Sequence, residues 1–377
     1  VNTAIFSARL ADGTIWAQVY RSLIPPIEMF GFGQRINPKR SFLFVSKVLG
    51  RHIPVRPSVM RNTFDLLARQ IPADIPGPIL FIGMAETAVG LGAGVHQQFR
   101  ELTGRSDAIY ICTTRHNLNL PLICEFQEEH SHAMRHLLHQ PFDPVLRNMA
   151  YGAKSLVLVD DEASTGKTFA NLFAALPEKI RSEVEHTVLV TLTDWSGGAA
   201  RAKMTGRVSD ATILSGRYSW TPHENVSAAA PQVPSFDRPA QTEVFPDAAR
   251  DWGRLGVVDH SQLLNAKAAD NGVTLVLGTG EHVWQPFLLA ERLEKEGAEV
   301  FYSSVTRSPI SVGHVIGSKF SFSDNYGGTV PNYLYNVDPA LYSKIILCSE
   351  TGPEHVCADL ISALGNPAVV VDREESE

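Results

Sequence analysis

Short apolar runs separated by polar, glycine-bearing turns recur along the chain, and their order predicts strands alternating with helices. The most marked run is Leu156 to Val159, followed at once by Asp160, Asp161 and Glu162. A strand covered by helices on both faces needs no polar alternation, so this run reads as a buried parallel strand that stops at the charges. Ala163 to Thr168 then form a small-residue turn, and the run from Phe169 to Leu176 continues as a helix.

Comparable strands are expected at Pro78 to Ile82, Ala108 to Thr114 and 187–193, residues 210–220 are expected to finish the first domain, and extended patches lie between Thr3 and Val19, before Pro25 and Pro26. Residues 60–71 carry an amphipathic helical pattern, whereas Phe42 to Gly50 fits either a helix or a strand. Further on, Val273 to Gly278, Val300 to Val305 and Lys344 to Cys348 read as strands, and Phe287 to Glu296 as a helix. This alternation is the pattern of an α/β protein. The stretch from Thr221 to Pro246 is rich in Pro, Ala, Ser and Gln and reads as a linker. The expected organisation is a first domain over 1–220, a linker over 221–250 and a second, smaller α/β domain over 251–377.

Composition narrows the class. A chain of 377 residues, 44% hydrophobic and 19% charged, can bury a large core and fits two domains. No apolar run approaches the ~20 residues that span a bilayer, and the N-terminal stretch lacks the order of a signal peptide, so no membrane association is expected and the cytoplasm is the default compartment. The net charge of −7 argues against broad nucleic-acid binding, although a local basic pocket can hide inside that sum. Cys112, Cys124, Cys348 and Cys357 form no CxxC pair and support neither a disulfide scaffold nor a zinc site.

The chemistry concentrates after Val159. A turn entering a helix offers backbone N–H groups to a phosphate, and acids beside it suit Mg²⁺ or sugar hydroxyls, so Asp160 to Thr168 reads as a site for a phosphorylated sugar. A nucleotide-triphosphate P-loop is excluded, because that motif requires glycine at the position Asp161 occupies. Gly83 to Thr87, behind another buried strand, is a second turn where backbone can approach an anion, though its glycine also suits helix–sheet packing. Two such turns fit a ligand that crosses the carboxyl ends of adjacent strands.

The stretch from Leu156 to Thr168 resembles the signature of type I phosphoribosyltransferases. Asn37 to Arg40, Phe42 to Val48, Gly50, Arg51 and His52 to Val55 look like the N-terminal segment of a bacterial group of these enzymes encoded near tellurium-resistance and stress genes. The second half resembles the domain named for its Thr-Arg-Ser-Pro motif, on Thr306 to Pro309, Gly278 to His282 and Phe322 to Tyr326. The resemblance implies a Rossmann-like parallel sheet with a flexible hood, and Mg²⁺-dependent transfer of 5-phosphoribosyl from 5-phosphoribosyl pyrophosphate (PRPP) to an unidentified nitrogenous, base-like acceptor with release of pyrophosphate. The alternative is a regulatory protein that senses PRPP or a nucleotide without turnover. The assembly is open to a homodimer.

By the same resemblance, Asp160 and Asp161 face the ribose hydroxyls or their Mg²⁺, and Ala163, Ser164, Thr165, Gly166, Lys167 and Thr168 clasp the 5′-phosphate. Gly83, Met84, Ala85, Glu86 and Thr87 lie at the pyrophosphate, Arg115 donates to the leaving group, and Glu128, Glu129, His130 and His132 belong to the hood. His130 and His132 fit a solvated helix start as well as a metal site. Lys47 and His52 can reach a carboxylate or phosphate, and Arg35, Lys39 and Arg40 fit a solvated turn. Trp195 either stacks on a base or closes the core. In the second half, Arg307 is a phosphate-binding candidate, and Glu281 and Asp324 are either ligands or turn caps. Residues 1–220 are expected to hold the whole PRPP site.

Overall fold

The apolar run before Asp160 becomes the middle of a large sheet because its neighbours are equally apolar and helices cover it on both sides. The computed structural model describes residues 4–37, 40–127, 135–224, 252–327, 330–365 and 368–371. In chain order the first half contains β1 (Ala4–Arg9), β2 (Gly13–Ser22), α1 (Pro26–Met29), β3 (Phe30–Gln34), β4 (Phe42–Ser46), α2 (Pro57–Ala68), β5 (Ile79–Gly83), α3 (Ala88–Thr103) and β6 (Ala108–Cys112). It continues with β7 (Leu122–Gln127), β8 (Arg135–His139), α4 (Pro144–Tyr151), β9 (Ser155–Ala163), α5 (Lys167–Ala175), α6 (Glu178–Arg181), β10 (His186–Asp194), α7 (Ala199–Ala202) and β11 (Arg207–Pro222). The second half contains β12 (Val273–Gly278), α8 (Trp284–Lys295), β13 (Glu299–Ser304), β14 (Lys319–Ser323), β15 (Pro331–Tyr335), β16 (Lys344–Cys348), α9 (Ala358–Leu364) and β17 (Ala368–Val371).

The large sheet has the order β1-β2-β11-β10-β9-β5-β6. Its strands from β11 to β6 are parallel, and β2 and β1 add an antiparallel edge. A separate parallel sheet, β13-β12-β16-β17, forms the smaller second unit. This is the expected class, a Rossmann-like sheet plus a second α/β sheet.

Several local expectations are sharpened. The helix expected over 60–71 starts earlier, at Pro57, whose fixed φ and missing N–H suit the first helical position, and it ends at Ala68. The ambiguous run after Ser41 is strand β4, paired with β3 from Gln34↔Phe42 to Phe30↔Ser46. The strand expected to stop at Val159 instead runs through Asp160 and Asp161 to Ala163. On that side β10 still supplies backbone partners, with Thr191 opposite Asp160 and Thr193 opposite Glu162, so the charges do not end the ladder. Towards β5 the pairing does stop, at Gly83 opposite Val159.

The two sheets share one apolar core. Phe64 on α2 is fully buried, with its ring 5.3 Å from Phe287 and 6.1 Å from Trp284 on α8. An Arg61–Glu291 ion pair at 2.6 Å seals the rim of that contact. Residues after 252 also return to the large sheet, where Tyr110 and Val257 exchange both backbone hydrogen bonds at 2.8 Å and cover the β6 edge. Among the described residues, no helix is long and apolar enough to cross a membrane.

The Phe64 contact generates a stability prediction. Phe64→Ala opens a cavity between α2, α3 and α8 and should cost about 3–5 kcal/mol in urea unfolding. A loss below about 1 kcal/mol would show that the halves do not share a packed core.

Candidate active site

Because β9 outruns β5, a cleft opens at the carboxyl ends of these two strands, where α/β sheets bind ligands. Asp160, Asp161 and every residue from Ala163 to Thr168 line it, as do Met84, Ala85, Glu86, Thr87, Arg115 and Arg307. Gly83 ends β5 immediately behind this lining. Glu281 and Asp324 lie outside the cleft lining, and Glu128, Glu129, His130 and His132 fall outside the described residues. The hairpin that leads to those four, β7 paired with β8, stands after β6 where the hood is expected.

The turn after β9 is built for close approach. Gly166 has φ +69°, and a Cβ there would stand 2.2 Å from Ala200 Cα, so both the backbone conformation and the space require glycine. The chain then enters α5, whose first-turn amides have no carbonyl within the helix to meet. Lys203 Nζ donates to the Thr165 carbonyl at 2.7 Å, which fixes the outside of the turn. At the base, Arg40 pairs with Glu162 at 2.6 Å and lies over the Phe42 ring at 4.7 Å. Burial works against the Arg40 charge, but Glu162 prevails and holds its pKa above the ordinary value.

The facing loop at Gly83–Thr87 is held by buried donors. Ala85 N–H donates to Thr113 Oγ1 at 2.8 Å, and that hydroxyl meets His136 Nδ1 at 2.9 Å. Arg115 reaches over the loop, donating to the carbonyls of Ala85 at 3.2 Å and Arg135 at 3.0 Å. Glu86 accepts from Arg51 at 2.8 Å and lies 3.7 Å from Arg307. Arg35 and Arg40, which fit a solvated turn in the sequence, line the cleft with Arg51 and His52, and the three arginines add positive charge to it. Burial, reinforced by Arg51 and Arg35, lowers His52 to about 3 and keeps it neutral. Lys47 points elsewhere and donates to the Ile27 carbonyl at 2.9 Å. Trp195 closes the core, buried and stacked on Phe44 with centroids 4.4 Å apart.

Of the remaining candidates of the second half, Glu281 joins a buried polar network. Glu281 accepts from Thr114 Oγ1 at 2.6 Å, from Arg115 N–H at 2.7 Å and from Arg254 at 3.0 Å. Arg254 also makes a bidentate pair with Glu350 at 2.7 and 2.9 Å. Burial pushes both carboxyls up, yet opposing groups outweigh it: His116 and Arg254 hold Glu281 far below the carboxylate range, and Arg254 chiefly brings Glu350 to about 2. Asp324 Oδ1 accepts from the Tyr326 N–H at 3.2 Å, a turn contact. Contacts between Arg254, Glu281 and Glu350 carry no signature in the sequence, since the partners are far apart along it.

A cleft at the carboxyl edge of a mostly parallel sheet, with acids on a strand end and a glycine turn entering a helix, defines a protein of the phosphoribosyltransferase fold class. A family described as phosphoribosyl transferase matches residues 29–214, and the TRSP domain that lies C-terminal to that transferase matches residues 254–364. The chain thus has the architecture of a phosphoribosyl transferase domain followed by a TRSP domain. Similar solved structures include adenine phosphoribosyltransferase from Rhodothermus marinus DSM 4252, at 15% identity and TM-score 0.33 over 50% of this chain and 94% of that one. Adenine phosphoribosyl transferase from Trypanosoma brucei, in complex with AMP, pyrophosphate and ribose-5-phosphate, is 12% identical with TM-score 0.33 over 49% of this chain and 76% of that one. No curated protein matches the chain.

Two predictions follow from this geometry. Gly166→Ala should destabilise the protein by about 1–3 kcal/mol in urea unfolding, and a neutral effect would refute the contact with Ala200. Arg254→Gln strands two buried carboxylates and should cost about 3–5 kcal/mol near neutral pH. Because the folded pKa of Glu350 is depressed from 4.5 to about 2, the stability it contributes is present above the ordinary value and is lost as pH falls through the folded one. The variant's carboxyls take up protons more readily, so the gap to wild type should narrow as pH falls from 4.5 towards about 2. A gap independent of pH would contradict the network's electrostatics.

Proposed function

We propose that this protein transfers the 5-phosphoribosyl group of PRPP to a nitrogenous, base-like acceptor and releases pyrophosphate. The observation that carries this reading is the convergence of Asp160, Asp161, the Ala163–Thr168 turn, the Glu86 loop and Arg115 on one cleft in a chain of the phosphoribosyl transferase family. On this reading the turn and the start of α5 hold the 5′-phosphate, Asp160 and Asp161 hold the ribose hydroxyls, and Arg115 with the Met84–Thr87 backbone meets the pyrophosphate.

The donor set suits Mg²⁺. Among the described residues no group of three or more His, Cys, Asp and Glu side chains could hold a metal alone. Mg²⁺ commonly takes one or two carboxylates and completes its shell with substrate oxygens and water, which fits Asp160 and Asp161 at an open cleft. When bound, the ion would neutralise charge that develops on the leaving pyrophosphate. The chain's own contribution is alignment and fixed electrostatics: the anomeric carbon gains positive charge near the carboxylates while the pyrophosphate gains negative charge near the guanidinium of Arg115. The β7–β8 hairpin, whose His136 lines the cleft, would limit access of water, which otherwise attacks the same carbon.

The test is a panel of nitrogenous acceptors incubated with PRPP and Mg²⁺, with pyrophosphate release and product mass measured together. Replacing both acids, Asp160→Asn with Asp161→Asn, should lower turnover on the order of a hundredfold or more while circular dichroism is unchanged. Near-wild-type turnover in that folded variant would overturn the role of the acids. Tight PRPP binding with no product from any acceptor would favour a sensing protein instead.

A further inference from the structure

The loop that follows β13 belongs by sequence to the second half, yet its backbone is bonded to the first. Ile36 N–H donates to the Pro309 carbonyl and Ser311 N–H to the Gln34 carbonyl, both at 2.9 Å. From the other side Thr306 exchanges backbone hydrogen bonds with Tyr333 at 3.0 and 2.8 Å, and the Tyr335 hydroxyl donates to the Ser308 carbonyl at 2.8 Å. Arg307 is therefore carried on a segment gripped by both halves.

Its guanidinium projects into the cleft. Arg307 Nη2 donates to His116 Nε2 at 3.0 Å, and Nε lies 3.7 Å from Glu86 Oε1. Burial lowers His116 to about 4, so the imidazole is neutral and accepts this hydrogen bond without cancelling the guanidinium charge. Arg51 makes the reciprocal crossing: it comes from the first half, and its Nη1 donates to the Gly280 carbonyl at 3.2 Å and to Ser304 Oγ at 3.3 Å in the second. Both guanidinia converge on Glu86, in the loop beside which the leaving group is expected.

We propose that Arg307 is a pyrophosphate-binding residue of the phosphoribosyl site, so that the TRSP half completes the transferase rather than adding a separate activity. This rests on the reading of the cleft as a PRPP site. Arg307 presents a forked donor to the diphosphate oxygens across from the Gly83–Thr87 loop, with Arg51 at its side. Residues 1–220 then hold the acids and the 5′-phosphate turn but lack one wall of the pyrophosphate subsite, contrary to the expectation from sequence that they hold the whole site.

The test uses the full chain and calorimetry with three probes in the presence of Mg²⁺: PRPP, pyrophosphate and ribose 5-phosphate. Arg307→Gln should weaken pyrophosphate and PRPP on the order of tenfold or more, as for loss of a charged hydrogen bond, and leave ribose 5-phosphate within about twofold. Arg307→Lys should recover part of the loss, because it restores charge without the fork. Retained ribose 5-phosphate binding shows that the variant is folded and that the acids and phosphate turn are intact. Unchanged pyrophosphate affinity in Arg307→Gln overturns the proposal, as does an equal loss for all three probes in both variants, which would mark Arg307 as structural. If the wild type binds ribose 5-phosphate and PRPP while the variants bind pyrophosphate normally, the transferase reading stands and only the role of Arg307 fails. If the wild type binds none of the probes, the transferase reading fails first.

Discussion

Beyond Val159 the central strand has a partner on one side only, and the site depends on that asymmetry. The ladder with β10 continues to Asp194 opposite Ala163, so the backbone that carries Asp160 and Asp161 stays extended and fixed. The ladder with β5 ends at Gly83, so the chain there is free to turn into the Met84–Thr87 loop and leave space between the two strands. A ligand entering this gap meets carboxylates on a rigid strand, a helix start beyond them and a loop with cationic neighbours opposite. Preorganisation of this kind lets charge develop in a reaction without moving the protein groups that stabilise it.

The second half contributes to that rigidity through two kinds of contact. Apolar packing of α2 and α3 against α8 merges the cores, and the buried Arg254–Glu281–Glu350 network ties the loop at Thr114 and Arg115 to the ends of β12 and β16. A buried ion network is weak support for stability by itself, but its geometry is unforgiving, since removing one member strands the others. Here the network ends on the Arg115 backbone, at the edge of the cleft. The orientation of a residue proposed to meet the leaving group is thus linked to residues more than a hundred positions away.

Much of this was legible in the sequence, and the reasons are local. Apolar runs such as Ile79 to Ile82 and Leu156 to Val159 mark strands covered on both faces, and the turn at Gly166 announces itself by composition and order. The continuation of β9 through three acids was not legible, because a shift from apolar to charged residues looks like a strand end when the partner strand is unknown. Arg307 stood out as a phosphate-binding candidate and Arg51 as part of the N-terminal resemblance, but their meeting at Glu86 was hidden for a different reason. A lone arginine carries no record of which distant element it meets, and only the packing of the two halves brings both to Glu86. Trp195 had two readings, of which packing is the commoner fate of a tryptophan, and its burial and stacking on Phe44 place it in the core.

If the cleft is a PRPP site, one ligand is held jointly by the strand-end acids, the Gly83–Thr87 loop and the Thr306–Ser308 segment. Hydrogen exchange of the full chain, with and without saturating PRPP and Mg²⁺, reads all three at once. Joint binding should slow exchange in peptides covering 83–87, 160–168 and 306–308 together. Protection confined to the first two would separate the second half from the site, and protection absent from 160–168 would contradict PRPP binding at the end of β9.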